Sequence, residues 1–80
     1  MTRAELIAKI DNGSDIMLSV AGKHYTILTW TDDGIAIGEQ HPNGGDLQYF
    51  NTSEELVDRF MIAGNALGEL SMKITITQYT

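Results

Sequence analysis

The sequence predicts an α+β domain in which an antiparallel meander sheet of four to five strands carries two helices on one face. Two observations lead to this prediction. Two segments have apolar residues at helical spacing behind a capping box, and elsewhere apolar and polar residues alternate between glycine-containing turns. The chain has 80 residues without a linker or repeat, so we expect residues 1–80 to form a single domain.

The clearest predicted helix covers about residues 53–63, with Thr52 as its N-cap. Thr52 and Glu55 form a T-x-x-E capping box, in which each side chain can bond the other residue's backbone N–H. Gly64 or Asn65 is expected to end the helix in the left-handed conformation. Four apolar residues make one stripe that must be buried: Leu56, Val57, Phe60 and Met61.

A second capping box predicts an N-terminal helix over residues 2–10. Thr2 and Glu5 have the same spacing, and Leu6, Ile7 and Ile10 follow at helical period. The glycine at position 13 is then expected to act as the C-cap.

The remaining apolar segments predict strands at residues 15–20, 24–30, 35–40, 47–50 and 73–79, with a helical turn at 66–71. Turns at 21–23 and 32–34 and a loop at 41–46 separate the first four strands. Connections this short force neighbouring strands to run antiparallel, which predicts the meander.

The strand at residues 24–30 is apolar on both sides. One side carries Tyr25 and Ile27, and the other carries Leu28 and Trp30. Either this strand is central and covered on both faces, or the open face of the sheet has an apolar patch.

Charge limits the classes of partner. Eleven acidic residues face five basic ones, for a net charge of −6. This balance disfavours direct binding to nucleic-acid phosphates or to an anionic membrane, and permits a partner with a basic surface. No long apolar run and no signal-peptide pattern are present, so we expect a cytoplasmic protein.

The sequence predicts no catalytic residue, cofactor or metal ligand. There is no cysteine, and the only two histidines, His24 and His41, lack the spacing of a metal site on one element. Residues 11–15 resemble a calcium loop, but a glycine at its third position and Gly22 at its twelfth do not fit. No phosphate-binding loop or nucleophile elbow occurs.

Two runs of the sequence carry a resemblance: Ile35-x-Ile37-Gly38-Glu39 and Leu56-x-x-x-Phe60-x-Ile62-x-Gly64-x-x-Leu67-x-Glu69-Leu70. They resemble small proteins of Gram-positive bacteria and their prophages. The helix–antiparallel strands–helix order and the acidic charge are also similar to small type II anti-CRISPR proteins. That resemblance implies a DNA mimic, whose carboxylates block a basic DNA-binding groove.

The first functional prediction is a non-enzymatic protein-interaction module of bacterial or prophage origin. It would bind a protein with a basic surface, or a second copy of the chain, through the open sheet face, including Met17, or the acidic residues. The candidate binding residues are Leu28, Trp30, Asp32, Asp33, Glu54, Glu55 and Asp58.

Two alternatives make different structural predictions. A DNA-mimicking inhibitor requires seven carboxylates on one surface at a spacing of about 7 Å, twice the rise per base. They are Asp32, Asp33, Glu39, Asp46, Glu54, Glu55 and Asp58. The third alternative, a small enzyme, would bring His41, Asp46 and Tyr49 together in a pocket.

Overall fold

A computed structural model describes residues 1–40 and 45–80 of the chain, so part of the loop predicted at 41–46 lies outside the described residues. The α+β class and the antiparallel sheet with two helices are confirmed. The elements are α1 (Arg3–Asn12), β1 (Asp15–Val20), β2 (Lys23–Thr31), β3 (Gly34–Glu39), β4 (Gln48–Phe50), α2 (Ser53–Arg59), β5 (Met61–Ile62), β6 (Asn65–Ala66), a 3-10 helix (Leu67–Lys73) and β7 (Thr75–Tyr79).

The five-stranded sheet has the order β4-β3-β2-β1-β7, so β2 is its central strand. Strands β1 to β4 follow one another as the predicted meander. The β1–β2 turn consists of Ala21 and Gly22 at φ values of 53° and 76°, which match the tight hairpin turn that suits the twist of paired strands. Strand β7 returns to the far side of β1 and pairs with it antiparallel.

Both helices lie on the same face of the sheet. Thr2 and Glu5 form the predicted capping box of α1, and the Thr52 hydroxyl accepts the Glu55 N–H at the start of α2. The two helices are joined by a bidentate ion pair in which Arg3 donates to both carboxylate oxygens of Asp58, at 3.0 and 2.8 Å.

The hydrophobic core lies between these helices and the sheet. Burial of each large side chain there contributes about 1.5–3 kcal/mol. The sheet contributes the side chains on one side of its central strands, including Ile27 and Ile37, both fully buried. The helices contribute their predicted stripes, of which the fully or almost fully buried members are Leu6, Ile10, Leu56 and Val57.

Helix α2 is shorter than the sequence predicted, because it ends at Arg59 and a small hairpin of β5 and β6 follows. Ala63 and Gly64 form the turn of this hairpin at φ values of 50° and 85°, the same conformations as in the β1–β2 turn. Phe60 is buried, Met61 is 54% exposed and Ile62 is buried. This alternation is that of a strand, so Met61 does not belong to the buried stripe.

The predicted helical turn at 66–71 is the 3-10 helix, which buries Leu67 and leaves Leu70 half-buried. No helix within residues 1–40 and 45–80 is long and apolar enough to cross a membrane.

Candidate functional site

The face of the sheet opposite the helices carries large apolar side chains. Strand β2 is central, and no helix of residues 1–40 and 45–80 covers its second side: Leu28 is half-buried and Trp30 is 64% exposed. The strand register places Leu28 opposite Ala36, and Ala36 opposite Tyr49, which is 46% exposed. We call this surface the open face; its apolar residues are Met17, Leu28, Trp30, Ala36, Leu47 and Tyr49.

Side chains pack against one another across part of the open face even though none of the described helices covers it. Ala36 is fully buried there because its small side chain lies between larger cross-strand neighbours. Beside it, Gly38 is also buried, since the chain leading into β4 crosses it. A Cβ at Gly38 would lie 2.9 Å from both the Asp46 carbonyl oxygen and a Leu47 methyl carbon. The leucine side chain therefore extends the apolar surface at this end and is 40% exposed.

Trp30 is held in place although it is exposed. Its indole N–H donates to the Asp15 carboxylate at a distance of 2.7 Å. Asp15 begins β1 and lies opposite Leu28, so its carboxylate is on the same face as the indole. This bond fixes the orientation of the largest exposed side chain of the domain.

The candidate carboxylates occupy two separate places. Asp32 and Asp33 form the exposed β2–β3 turn directly after Trp30 and Thr31, at the edge of the open face. Glu54, Glu55 and Asp58 lie on α2, which packs on the opposite side of the sheet. The structure thus brings Leu28, Trp30, Asp32 and Asp33 together and keeps the three helix residues apart from them.

Nearby basic side chains partly neutralise several of the carboxylates. Asp58 is bound by Arg3, and the Glu55 and Arg59 side chains approach to 4.0 Å on α2. A carboxylate oxygen of Glu39 lies 4.0 Å from the Lys23 amino group at the other end of the sheet. Among the described residues, Asp32 and Asp33 have no such basic neighbour.

Sequence reasoning missed Asp15 and Leu47 as members of this surface. A signal for Asp15 was present, because the two-residue turn at 21–22 aligns Val20 with Lys23 and, by counting back, Asp15 with Leu28. A signal for Leu47 was also present, because alternation in the predicted strand at 47–50 puts it on the same side as Tyr49, although Leu47 itself precedes β4.

A cleft of about 350 Å³ lies at the opposite end of the sheet from Trp30. Tyr25 lines it and contacts the Phe60 ring edge-on, with the ring centres 5.7 Å apart. Burial, and secondarily the charge of Glu39, raises the pKa of the Tyr25 hydroxyl. Asp46 also lines the cleft, whereas Tyr49 belongs to the open face.

The arrangement expected for an enzyme is therefore not assembled by the described residues. His41, its third predicted member, lies outside them. Within residues 1–40 and 45–80, no group of three or more histidine, aspartate or glutamate side chains could hold a metal ion.

Comparison with known proteins identifies no relative of the chain. No protein family model matches the chain, and no curated protein or solved structure shows significant similarity to it. The resemblance to prophage and anti-CRISPR proteins stays a prediction.

Proposed function

We propose that the protein is a small non-enzymatic interaction module, of bacterial or prophage origin and acting in the cytoplasm, that binds a protein partner through the open face. The observation that carries the proposal is the apolar row across the uncovered central strands. Trp30, Tyr49 and Leu47 are 64%, 46% and 40% exposed on this one surface. Large exposed apolar side chains gathered on one face are typical of interaction sites.

The composition of the open face also fits an interface. Tryptophan and tyrosine are the residues most enriched among those that dominate binding free energy, because each buries a large area while ordering few torsion angles. The hydrogen bond from Trp30 to Asp15 removes part of that ordering cost before the partner arrives.

The direct test is affinity capture from the source organism with the wild-type chain and two variants. Trp30→Ser removes the most prominent side chain of the open face. Met72→Ser is the matched control, because Met72 is 74% exposed but lies on the 3-10 helix in the helical layer. A captured protein should then be purified and its affinity measured by calorimetry.

We expect Trp30→Ser to weaken that affinity by about tenfold or more, as truncating a central aromatic residue does. Met72→Ser should leave the affinity unchanged. An affinity that is insensitive to Trp30→Ser and to Tyr49→Ser would rule out the open face as the binding surface.

A second copy of the chain is the alternative occupant of the open face. Analytical ultracentrifugation distinguishes the two cases, because self-association through this face would be weakened by Trp30→Ser and not by Met72→Ser. Two stacked sheet faces would also bury the indole and shift its fluorescence to shorter wavelength.

A second candidate function is a DNA-mimicking inhibitor of a nucleic-acid-binding protein, although the carboxylates that it was predicted to need on one surface are divided between α2 and the β2–β3 turn. One observation favours it. Asp32 and Asp33 protrude at a turn without a described basic neighbour. Inhibition of this kind should be lost in Asp32→Asn/Asp33→Asn and kept in Trp30→Ser. The opposite result in a DNA-competition assay with the captured partner would exclude mimicry.

A further inference from the structure

The positions of the basic residues identify the chemistry of the partner. All five lie away from the open face. Arg3 and Lys9 are on α1, Arg59 is on α2, Lys73 ends the 3-10 helix, and Lys23 lies on the helix-covered side of β2 beside Glu39. The only titratable base on the open face among the described residues is His24, at the start of β2.

Acidic groups, in contrast, border the open face. At one end, Asp15 on β1 accepts the indole N–H of Trp30. Asp32 and Asp33 follow β2, the strand of Trp30, in the turn to β3. At the other end, the backbone of Asp46 crosses Gly38, and Asp46 lines the cleft near Tyr25. The apolar row is therefore bordered by three carboxylates at its Trp30 end and by no lysine or arginine.

From this asymmetry, and resting on the proposed function, we propose that the partner of the open face is an amphipathic helix whose apolar stripe is flanked by lysine or arginine residues. The apolar stripe would pack on Trp30, Leu28 and Tyr49, and its basic flanks would approach the border carboxylates. Complementary charge of this kind speeds association and excludes acidic competitors.

The shape of the domain suits a helix as occupant. A sheet buries an apolar face by packing helices on it, as α1 and α2 do on the other face. The domain measures 27 × 25 × 23 Å, and a helix of about 16 residues is about 24 Å long. One such helix would cross the open face and complete a three-layer structure.

A second copy of the chain fits this face less well. Pairing two open faces around a twofold axis would bring two sets of unneutralised carboxylates into one interface, which costs free energy. The exposed side of α1 offers no apolar stripe either, since it presents Arg3, Glu5 and Lys9.

The test uses two designed helical peptides with the same leucine stripe, one flanked by lysine and one by glutamate. Each is titrated into the isotope-labelled 80-residue chain and followed by NMR and by fluorescence of its single tryptophan. We expect the lysine peptide to shift the signals of open-face residues and to bind at least about tenfold tighter than the glutamate peptide. Added salt should narrow the difference.

Charge-matched variants separate a local effect from net charge. Asp32→Asn/Asp33→Asn removes two negative charges from the border of the open face and should lower the affinity for the lysine peptide about threefold or more. Glu5→Gln/Glu69→Gln removes two negative charges from the helical layer and should leave that affinity unchanged. The fold should be kept, because glutamine can still make both capping hydrogen bonds. Equal weakening by both pairs would overturn the inference.

The remaining outcomes distinguish failure of the basic-helix partner from failure of the open face as a binding surface. If neither peptide binds, or both bind equally, the basic-helix partner is wrong while a Trp30-dependent captured protein would still support the interaction module. If the lysine peptide shifts signals of α1 and α2 instead, the open face is wrong as well. Trp30-dependent dimerisation would overturn the helix partner in favour of a second copy.

Discussion

The two faces of the sheet differ although the same strands build both. In β2, Ile27 is fully buried under the helices, while its neighbours Leu28 and Trp30 lie on the open face, where Trp30 is 64% exposed. Neighbouring residues of one strand thus have separate tasks. One face stabilises the domain, and the other exposes apolar groups, which is the observation behind the proposed binding surface.

The sharpest test of this contrast is alanine substitution at neighbouring positions. Ile27→Ala leaves a cavity in the core and should lower the free energy of unfolding by about 2–5 kcal/mol. That loss is a large share of the total unfolding free energy of an 80-residue domain. Leu28→Ala should cost about 1 kcal/mol or less because its side chain is already partly hydrated. Urea unfolding followed by circular dichroism measures both. Similar losses would contradict the division between faces.

Gly38→Ala tests whether the open face is packed at the Leu47 end. The added methyl group would overlap the Asp46 carbonyl oxygen and the leucine side chain, so we expect a loss of about 1–3 kcal/mol in unfolding free energy. Ser19→Ala, on the same face of β1, is the control and should change the free energy by about 0.5 kcal/mol or less. A neutral Gly38→Ala would mean that the loop moves away freely.

The Arg3–Asp58 pair tests how much the outer surface of the helical layer contributes. Both side chains are about half exposed, so a double-mutant cycle with Arg3→Ala and Asp58→Ala should give a coupling energy of about 0.2–1 kcal/mol. The coupling should shrink as salt is added, because exposed charges are screened. A larger coupling energy that does not depend on salt would mean that this ion pair, and not only the core, stabilises the fold substantially.

The smallest expected effect concerns the capping carboxylate of α1. Hydrogen bonds from the Thr2 backbone N–H and then the Thr2 hydroxyl lower the pKa of Glu5. A lowered folded-state pKa means that this contribution to stability is present above the ordinary glutamate pKa and is lost as the pH falls through the folded-state value. NMR titration should show the low pKa, and Glu5→Gln should remove this part of the acid dependence. A titration at the ordinary glutamate value would contradict the capping role.

Much of the fold could be predicted because it depends on neighbours in sequence. The strand at 15–20 has the predicted bounds, and both capping threonines begin helices. The end of α2 was missed because helix period and strand alternation both fit a short apolar run such as Phe60-Met61-Ile62. The Ala63-Gly64 turn, which allows β5 and β6 to pair, decides in favour of the strand.

Part of the candidate site could also be predicted. Leu28, Trp30, Asp32 and Asp33 are close in sequence, and they remain close in the structure at one end of the open face. Glu54, Glu55 and Asp58 are separated from them because α2 packs on the other side of the sheet. Charge alone contains no information about which side of a sheet a helix will cover.

The sequence by itself determined the helix starts, the tight turns, the alternation of β2 and hence the existence of two apolar faces. These properties follow from capping, backbone conformation and side-chain period, all of which act over a few residues. Only the tertiary structure decided which face the helices cover, that β7 pairs beside β1, and that Leu47 joins Trp30 on the open face. Those outcomes depend on contacts between distant segments, whose free energies exist only once the whole core has assembled.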